Sequence, residues 1–424
     1  MEISRNNLFI EYFGYIDGKL YCEDVSIQNV ASKVGTPIYI YSKKAILDKI
    51  NQYKEAFKDY DTLICYALKA NSNLSLLKII EEQGLGADIV SGGELYKAKK
   101  AGFPSNRIVY AGVGKTDYEI EFAIREGILS FNVESLMELE VIDQIAKKYD
   151  KKANISIRIN PDVDPKTHPY ISTGLKKSKF GIDIDQGLDA YRYAAKFDNL
   201  NIIGIHCHIG SQITDISVYK EAAEKTADLV FKLKKEGIEL QYFDMGGGLG
   251  IRYRPEDNVP TPKDLADIII PVVKQTGLKL IIEPGRSIVG EAGALIAKVI
   301  FLKDKGDKHF VIVDSGMNDL VRPSIYNAYH HIVSVKQNSE KMIADVVGPI
   351  CETGDFLGLE REIDKVERGD LIVVLSTGAY GASMSSNYNV RPKAAEVLID
   401  GEKFSIIKER EDYRHISLFE EEII

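Results

Sequence analysis

Residues 202–245 read IIGIHCHIGSQITDISVYKEAAEKTADLVFKLKKEGIELQYFDM. The run opens with β-branched residues up to His208, which predicts a strand. From Tyr219 to Lys235 apolar residues recur at three- and four-residue spacing, which indicates a helix with one buried face. A second apolar run, Leu240 to Met245, predicts another strand. Strand, helix and strand in this order form the unit that joins neighbouring parallel strands.

The same alternation extends over residues 60 to 285 and predicts eight strands in all. They are Thr62–Leu68, Ala87–Ser91, Arg107–Ala111, Leu129–Val133, Asn154–Ile159, Ile202–His208, Leu240–Met245 and Lys279–Glu283. Eight such units are typical of a (β/α)₈ barrel, although an open doubly wound sheet has a similar pattern. The barrel is favoured because the count closes at eight and no Gly-x-Gly-x-x-Gly follows the first strand.

After residue 285 the pattern changes to strands separated by turns, which predicts a second, C-terminal, all-β domain with a β-sandwich or β-barrel architecture. Its candidate strands are Leu295–Leu302, His309–Asp314, Met342–Val347 and Asp370–Ser376. Near the N-terminus, an Asp17-Gly18 turn between Ile10–Tyr15 and Leu20–Val25 predicts a hairpin that could join this domain. We therefore expect a barrel over residues 36–284 and a β-domain made of residues 1–35 and 285–424.

Composition narrows the classes of function. The length of 424 residues favours two domains, and the formal net charge of -9 comes without a basic stripe for nucleic acid. No apolar run reaches the roughly 18 residues of a membrane span, and the N-terminus has no signal-peptide pattern. The four cysteines are far apart, which argues against a disulfide framework and a structural zinc site. We expect a cytoplasmic protein with no nucleic-acid or membrane partner.

Polar residues and glycines recur where the predicted barrel strands end, which is where such barrels carry their chemistry. They are Lys69, Asp88, Arg158, His206, His208, Gly246, Gly247, Gly248, Glu283, Gly285 and Arg286. A lysine at the mouth of an apolar strand is partly desolvated, so its neutral amine can attack a carbonyl to form a Schiff base. Taken alone, Lys69 fits a solvated loop lysine better.

The last two strand ends suggest sites for a phosphate and for a ring nitrogen. Three consecutive glycines, Gly246–Gly248, let backbone N–H groups approach an anion, and the loops after strands 7 and 8 commonly hold phosphate. Glu283 could accept a hydrogen bond from a protonated ring nitrogen. A tight turn explains the glycines equally well, and an ion pair with Arg286 is the plain alternative for Glu283.

His206 and His208 are expected to face the same side of their strand, which raises the question of a metal site. We expect none, because no third ligand stands at a suitable spacing. Stacking of His208 on an aromatic ring is the better functional interpretation, with a core histidine as the alternative. Together, a Schiff-base lysine, a phosphate cradle and a carboxylate for a ring nitrogen point to one cofactor, pyridoxal 5'-phosphate.

Six motifs make the sequence similar to the alanine-racemase-like, fold-type-III pyridoxal-phosphate decarboxylases over nearly the whole chain. They are Tyr66–Asn71, His208–Ser211, Gly246–Gly248, Glu283–Arg286, Cys351–Asp355 and Gly378–Gly381. The resemblance implies that Lys69 is joined to the cofactor, that His208 stacks on its ring and that Glu283 pairs with its nitrogen. The expected cofactor-binding set is completed by Asp88, Arg158, Ser211, Gly246, Gly247, Gly248, Gly285, Arg286 and Tyr380.

The resemblance also implies a head-to-tail homodimer in which Cys351 and Glu352 reach the partner's active site, with Cys351 as acid or proton relay. Residues 315–326 and 351–355 resemble the branch that acts on diaminopimelate. The expected reaction is therefore decarboxylation of meso-2,6-diaminopimelate at its D-centre to give L-lysine. The expected substrate-binding residues are Arg286, Arg322, Tyr326, Glu352 and Tyr380.

Three other functions stay open from the sequence. One is decarboxylation of ornithine, arginine or lysine by a member of the same family, and another is a catalytically silent, cofactor-binding regulatory protein. The last is a cofactor-carrier barrel of the same superfamily, although such proteins lack the β-domain predicted after residue 285. His168 and the run 176–181 could form a loop over the site, but a solvated basic loop fits that segment equally well.

Overall fold

The computed structural model describes residues 6–165, 167, 168, 170, 171, 173, 174 and 178–420 in full, and the backbone alone at residue 169. It divides into two compact units. Unit 1 comprises Met1–Lys49, Arg252–Asn258 and Ile288–Ile424, and unit 2 comprises Ile50–Ile251 and Val259–Ser287. Lys176 and Lys177 of the predicted loop lie outside the described residues. No helix in the described part of the chain combines the length and apolar composition of a membrane span.

The N-terminal part of unit 1 is a small antiparallel sheet followed by one helix. Its elements are β1 (Asn6–Asn7), β2 (Phe13–Ile16), β3 (Lys19–Cys22), β4 (Val25–Ser26) and α1 (Ile27–Val34). Asp17 and Gly18 both have positive φ and close the β2–β3 hairpin, as the sequence predicts. Ile10 lies before the strand, so the first arm of the hairpin is shorter than the sequence predicts.

Two elements connect this sheet to the barrel, β5 (Ile38–Ser42) and α2 (Lys43–Phe57). Strand β5 falls inside the range predicted for the barrel domain, yet it pairs with two strands of unit 1. Every residue of β5 is buried, so its apolar pattern resembles that of a barrel strand. The sequence pattern alone therefore did not distinguish the two sheets.

Unit 2 is a closed barrel of eight parallel strands, which confirms the predicted fold. The strands are β6 (Thr62–Ala67), β7 (Gly86–Ile89), β8 (Ile108–Tyr110), β9 (Ser130–Val133), β10 (Ala153–Asn160), β12 (Leu200–His206), β13 (Tyr242–Asp244) and β14 (Lys279–Ile282), while the short β11 (Ile182–Asp183) pairs with β10. Pairing of β14 with β6 and of β9 with β10 closes the ring. Inside it, Cys65, Val109 and Ile281 pack together.

Helices cover the outside of the barrel strands. They are α3 (Leu74–Glu82), α4 (Gly92–Ala101), α5 (Asp117–Glu126), α6 (Leu136–Lys148), α7 (Ile184–Ala194), α8 (Ser217–Lys235) and α9 (Pro262–Thr276), followed by the single turn α10 (Arg286–Val289). Five of the long helices begin with a side-chain cap, from Asn73, Ser91, Thr116, Ser135 and Thr261. Each cap accepts a backbone N–H of the first turn and ends the preceding loop at a defined residue.

The remaining strands form a mixed sheet in unit 1. They are β15 (Gly293–Lys305), β16 (Lys308–Val313), β17 (Ile332–Ser334), β18 (Lys341–Val347), β19 (Phe356–Asp364), β20 (Leu371–Val374), β21 (Ala395–Asp400) and β22 (Lys403–Lys408), with the short helices α11 (Arg322–Tyr326) and α12 (Tyr413–Ile416). The long strand β15 pairs with β5 and β20 in its first half and with β16 in its second. Side chains of β2, β3 and α1 pack against this sheet in one apolar core.

Single-turn 3₁₀ helices complete the fold. They span Leu68–Ala70, Ser105–Arg107, Pro169–Ile171, Ala382–Met384 and Tyr388–Val390. The first of them immediately follows β6, so it fixes the position of Lys69 at the barrel mouth.

We predict that Gly86→Ala destabilises the barrel by about 1–3 kcal/mol, the usual range for an overpacked core. A Cβ at this position would lie 2.4 Å from the Arg107 carbonyl oxygen and 2.8 Å from Cys65 Sγ. Urea unfolding followed by circular dichroism measures the loss. Gly114→Ala is the matched control, because its Cβ would meet no atom within 4 Å. Equal unfolding midpoints for the two variants would contradict this account of the strand contact.

Candidate active site at the mouth of the barrel

Lys69 lies at the barrel mouth, next to a carboxyl group. Its Nζ is 3.1 Å from Oδ2 of Asp88, at the C-terminal end of the neighbouring strand β7. The Asp88 side chain is fully buried, whereas that of Lys69 is 33% exposed. Burial raises the pKa of Asp88 above its usual range, and the charge of Glu283 adds to this, while Lys69 acts in the opposite sense. The amine therefore lies where it can both pair with a carboxylate and meet a molecule from solvent.

Glu283 follows β14 directly and is only 3% exposed. Its Oε1 accepts a hydrogen bond from Asn132 Nδ2 at 3.3 Å, and its Oε2 lies 3.6 Å from His206 Nε2. Burial opposes ionisation of this carboxyl, but the contact with His206 and the charge of Lys69 hold its pKa below its usual value. An ionised carboxylate in a dry pocket is the group that a protonated ring nitrogen requires as a partner.

His208 lies two residues beyond the end of β12, not on the strand as the sequence predicts. Its Nδ1 accepts a hydrogen bond from the backbone N–H of Gly247 at 3.1 Å. Burial lowers its pKa well below the usual value, and the positive charges of Lys69 and Arg158 lower it further. A neutral imidazole with an occupied Nδ1 can stack on a ring but is poorly suited to act as an acid.

The three-glycine turn packs too closely for side chains. A Cβ on Gly247 would lie 2.1 Å from the Glu283 carbonyl oxygen, and one on Gly248 would lie 2.2 Å from that of Gly210. Gly248 also has a φ of +109°, which few other residues adopt. The turn therefore brings bare backbone next to the loop after β12.

Arg286 lies beside this loop, where its Nη2 donates to Ser211 Oγ at 3.0 Å. Gly285, just before it, has little room for a side chain, because a Cβ there would lie 3.0 Å from that of Ala67. A buried guanidinium, a hydroxyl and the glycine backbone are the groups that bind a phosphate. Together with Lys69 and Glu283, these residues fit pyridoxal phosphate.

Arg158 forms a buried ion pair next to the loop that carries His208. Its Nη1 is 2.7 Å from Glu134 Oε1, and its Cζ lies 4.7 Å from the Phe180 ring. Its Nη2 is 3.4 Å from the His208 carbonyl oxygen. Burial opposes ionisation of Glu134, yet Arg158 and the N–H of Gly181 hold its pKa below the usual value. The structure thus links Arg158 to the backbone that carries His208.

Three buried polar residues of this mouth were not among those predicted from the sequence, namely Asn132, Glu134 and Asp244. Asp244 ends β13 and stands two residues before the three glycines, a position that could have drawn attention to it. A ring nitrogen of His206 and one carboxyl oxygen each of Asp244 and Glu283 lie within 4.8 Å of one another. The spacing of the sequence showed no third ligand near the two histidines, whereas in the fold His206 lies with two carboxyl groups, Asp244 at the end of β13 and Glu283 after β14.

The predicted substrate residues other than Arg286 belong to unit 1, together with Cys351. Arg322 is buried, and its Nη1 lies 2.7 Å from His330 Nε2, while His330 Nδ1 lies 2.8 Å from the Leu375 carbonyl oxygen. Tyr326 ends the same helix. Residues 351 and 352 are exposed, and residue 380 is half-buried with a positive φ of 59°.

Comparison with known proteins places these residues in a family. Residues 43–290 match the model of the pyridoxal-dependent decarboxylases, pyridoxal binding domain. The diaminopimelate decarboxylase of Aquifex aeolicus is 58% identical over 406 residues, which cover 96% of each chain. That of Neisseria meningitidis serogroup A is 51% identical over 92% of this chain and 96% of its own. The diaminopimelate decarboxylase of M. jannaschii, solved with L-lysine, has a TM-score of 0.94 at 42% identity over 98% and 99% of the chains.

We predict that Gly247→Ala lowers the affinity for pyridoxal phosphate by about tenfold or more, because the new methyl displaces the turn from Glu283. A spectral titration of the protein with the cofactor measures the affinity. Gly93→Ala serves as control, since its Cβ would meet only Ser91 Oγ, at 3.7 Å. Unchanged affinity in Gly247→Ala would show that the turn does not bind the cofactor.

Proposed function

Because this chain belongs to the pyridoxal-dependent decarboxylases, we propose that it removes CO₂ from the D-centre of meso-2,6-diaminopimelate to give L-lysine, the last step of lysine biosynthesis. The relatives that bear the name diaminopimelate decarboxylase match along nearly the whole chain. The observation that carries the proposal is the meeting of Lys69, Glu283 and the three-glycine turn at one barrel mouth. A structural neighbour solved with L-lysine is consistent with lysine as product.

The cofactor, when bound, supplies a conjugated ring that accepts the electron pair left by departing CO₂. Lys69 would hold its aldehyde carbon through Nζ, and Glu283 would hold its ring nitrogen in the protonated state. Ser211, Arg286 and the glycine backbone would hold its phosphate. His208 would lie against the ring, where a neutral imidazole adds contact area without adding charge.

Asp88 has a second role toward Lys69 in this scheme. Its Oδ2 lies 3.1 Å from Nζ, so it can orient the amine while the site is being loaded. Because burial raises the pKa of Asp88, its carboxyl can take up a proton that the amine gives up. Asp88 therefore holds the proton next to Lys69 Nζ, the nitrogen that must be neutral to react.

We assign recognition of the distal amino-acid group to four residues of unit 1 and to Arg286. Diaminopimelate carries a second carboxylate and a second ammonium, whereas ornithine lacks the distal carboxylate. The guanidinium of Arg322 has a planar fork suited to a carboxylate, and Glu352 offers the charge that an ammonium requires. Tyr326, Tyr380 and Arg286 complete the proposed substrate set.

We also propose a head-to-tail homodimer that completes each site with Cys351 and Glu352 of the second chain. Both residues are exposed in the single chain, so a second copy can reach them. Cys351 would then supply the proton that the substrate Cα takes up after CO₂ leaves. A cytoplasmic location fits this assignment, because Cys65, Cys207 and Cys351 form no disulfide.

Replacing Lys69 by Ala should abolish the visible absorbance of the bound cofactor and CO₂ release, because no other group takes over the amine. Absorbance spectra and an assay of ¹⁴CO₂ from labelled meso-diaminopimelate test this. Lys78→Ala is the control, as Lys78 is an exposed lysine paired with Glu81. Retention of both signals in Lys69→Ala would refute the assignment.

The substrate assignment predicts CO₂ release from meso-diaminopimelate and far less from ornithine, arginine or lysine.

It also predicts that Arg322→Lys weakens L-lysine binding by about tenfold or more, because the ammonium cannot form the paired hydrogen bonds of the guanidinium. Calorimetry measures this with cadaverine as control ligand, since cadaverine has no carboxylate. Equal loss for both ligands would indicate general damage to the site instead.

A further inference from the structure

Two buried carboxyl groups face each other at the mouth of the barrel. Asp244 is the last residue of β13, Glu283 follows the adjacent β14, and the two side chains are 1% and 3% exposed. Their oxygens lie within 4.8 Å of each other and of a His206 nitrogen. Asn132 Nδ2 bridges the pair, at 3.4 Å from Asp244 Oδ2 and 3.3 Å from Glu283 Oε1.

Two negative charges at this separation and burial repel each other strongly, so such a pair retains one proton. The surroundings decide which carboxyl holds it. Glu283 lies next to His206 and within the field of Lys69, both of which favour its ionised form. The contacts of Asp244 are with neutral donors, namely the Gly246 N–H at 2.9 Å and the Asn132 amide. The proton therefore belongs on Asp244.

We propose that Asp244 is a positioning residue, which stays protonated at neutral pH and donates a hydrogen bond to Glu283. The inference deepens the proposed function, since it assigns the group that orients the carboxylate toward the ring nitrogen. The direction of both pKa values agrees with it. Burial and the charge of Glu283 raise the pKa of Asp244 well above its usual value, whereas that of Glu283 is lowered.

Asp244 also connects the two ends of the cofactor site. Its Oδ1 accepts from the N–H of Gly246, the first glycine of the turn assigned to the phosphate, and its carboxyl is placed to donate to Glu283, an oxygen of which lies within 4.8 Å. A neutral carboxyl can do both, because it accepts with one oxygen and donates with the other. An ionised one could only accept, and it would add a second negative charge beside the ring nitrogen.

Other titratable groups surround the pair and bear on its titration. They are Cys65, Lys69, Asp88, His206, Cys207 and His208. Of these, Asp88 is the second acid whose pKa is raised, mainly by burial. A test must therefore separate Asp244 from Asp88 by substitution.

The test uses infrared difference spectra between the full-length wild-type enzyme and each variant, recorded with the cofactor bound. At pH 7, the carbonyl stretch of a protonated carboxyl should be present in the wild type and be lost in Asp244→Asn. Asp228→Asn, at an exposed position on α8, should leave the band unchanged. Asp88→Asn identifies any band that belongs to Asp88, so the band of Asp244 is the one that Asp88→Asn retains. Survival of that band in Asp244→Asn, or its absence from the wild type, overturns the proposal.

A second arm compares two variants for cofactor affinity. Asn keeps the Oδ1 acceptor for Gly246 and replaces the carboxyl proton by an amide donor, so Asp244→Asn should bind pyridoxal phosphate within about threefold of wild type. Asp244→Ala should bind about tenfold more weakly or worse, because it loses a hydrogen bond to a charged group. If Asp244→Asn is as weak as Asp244→Ala, the proton assignment is wrong. Should Asp244→Ala not fold, the infrared arm still decides.

The pH dependence of unfolding gives a third readout that needs no cofactor. An acid whose folded pKa lies above its unfolded value binds more protons in the folded state, so its contribution destabilises the fold as pH rises between the two values. Asp244→Asn removes that contribution, so its unfolding midpoint in urea should fall less steeply than that of wild type from pH 5 upward. Identical slopes would count against the proposal.

These outcomes are distinguishable from failure of the proposed function. If the enzyme released no CO₂ from meso-diaminopimelate while the band and slope behaved as expected, the substrate assignment would be wrong and the role of Asp244 would stand.

Discussion

The carboxylate of Glu283 is kept ionised where water does not reach it, and the rest of the barrel mouth is arranged around that charge. Burial alone would protonate the group. His206 on one side and the charge of Lys69 on the other reverse the preference. The same lysine also contacts Asp88. The ammonium of Lys69 thus stabilises negative charge on two carboxyl groups, Asp88 and Glu283, and its position after β6 affects the charge state of both.

Close backbone approach is the second constraint on the mouth. The turn after β13 touches the carbonyl of Glu283 and the loop that carries His208, with no space for a Cβ at Gly247 or Gly248. The hydrogen bond from the Gly247 N–H to His208 Nδ1 fixes the imidazole tautomer. Gly247, which the close packing requires, therefore also donates the hydrogen bond that leaves His208 Nδ1 unprotonated.

The sequence allowed the barrel to be predicted strand by strand, because its parallel strands are short apolar runs separated by strongly periodic helices. It also allowed Lys69, His208, Glu283 and the glycines to be grouped, since residues at strand ends meet at one rim. It could not show that Asp244 faces Glu283, because that contact depends on which strands are neighbours and on side-chain direction. The run Ile38–Ser42 illustrates the same limit, as its buried residues would suit either sheet.

The contact between Arg322 and His330 in unit 1 also fixes a protonation state, but the charged group there is a cation instead of a carboxylate. An arginine can only donate, so a nitrogen 2.7 Å from Nη1 must accept, and His330 Nε2 is therefore unprotonated. Its Nδ1 must then carry the proton that is donated to the Leu375 carbonyl. A neutral histidine orients the guanidinium without cancelling its charge. An acidic residue in its place would hold Arg322 equally firmly but would compete with any carboxylate that the arginine is to bind.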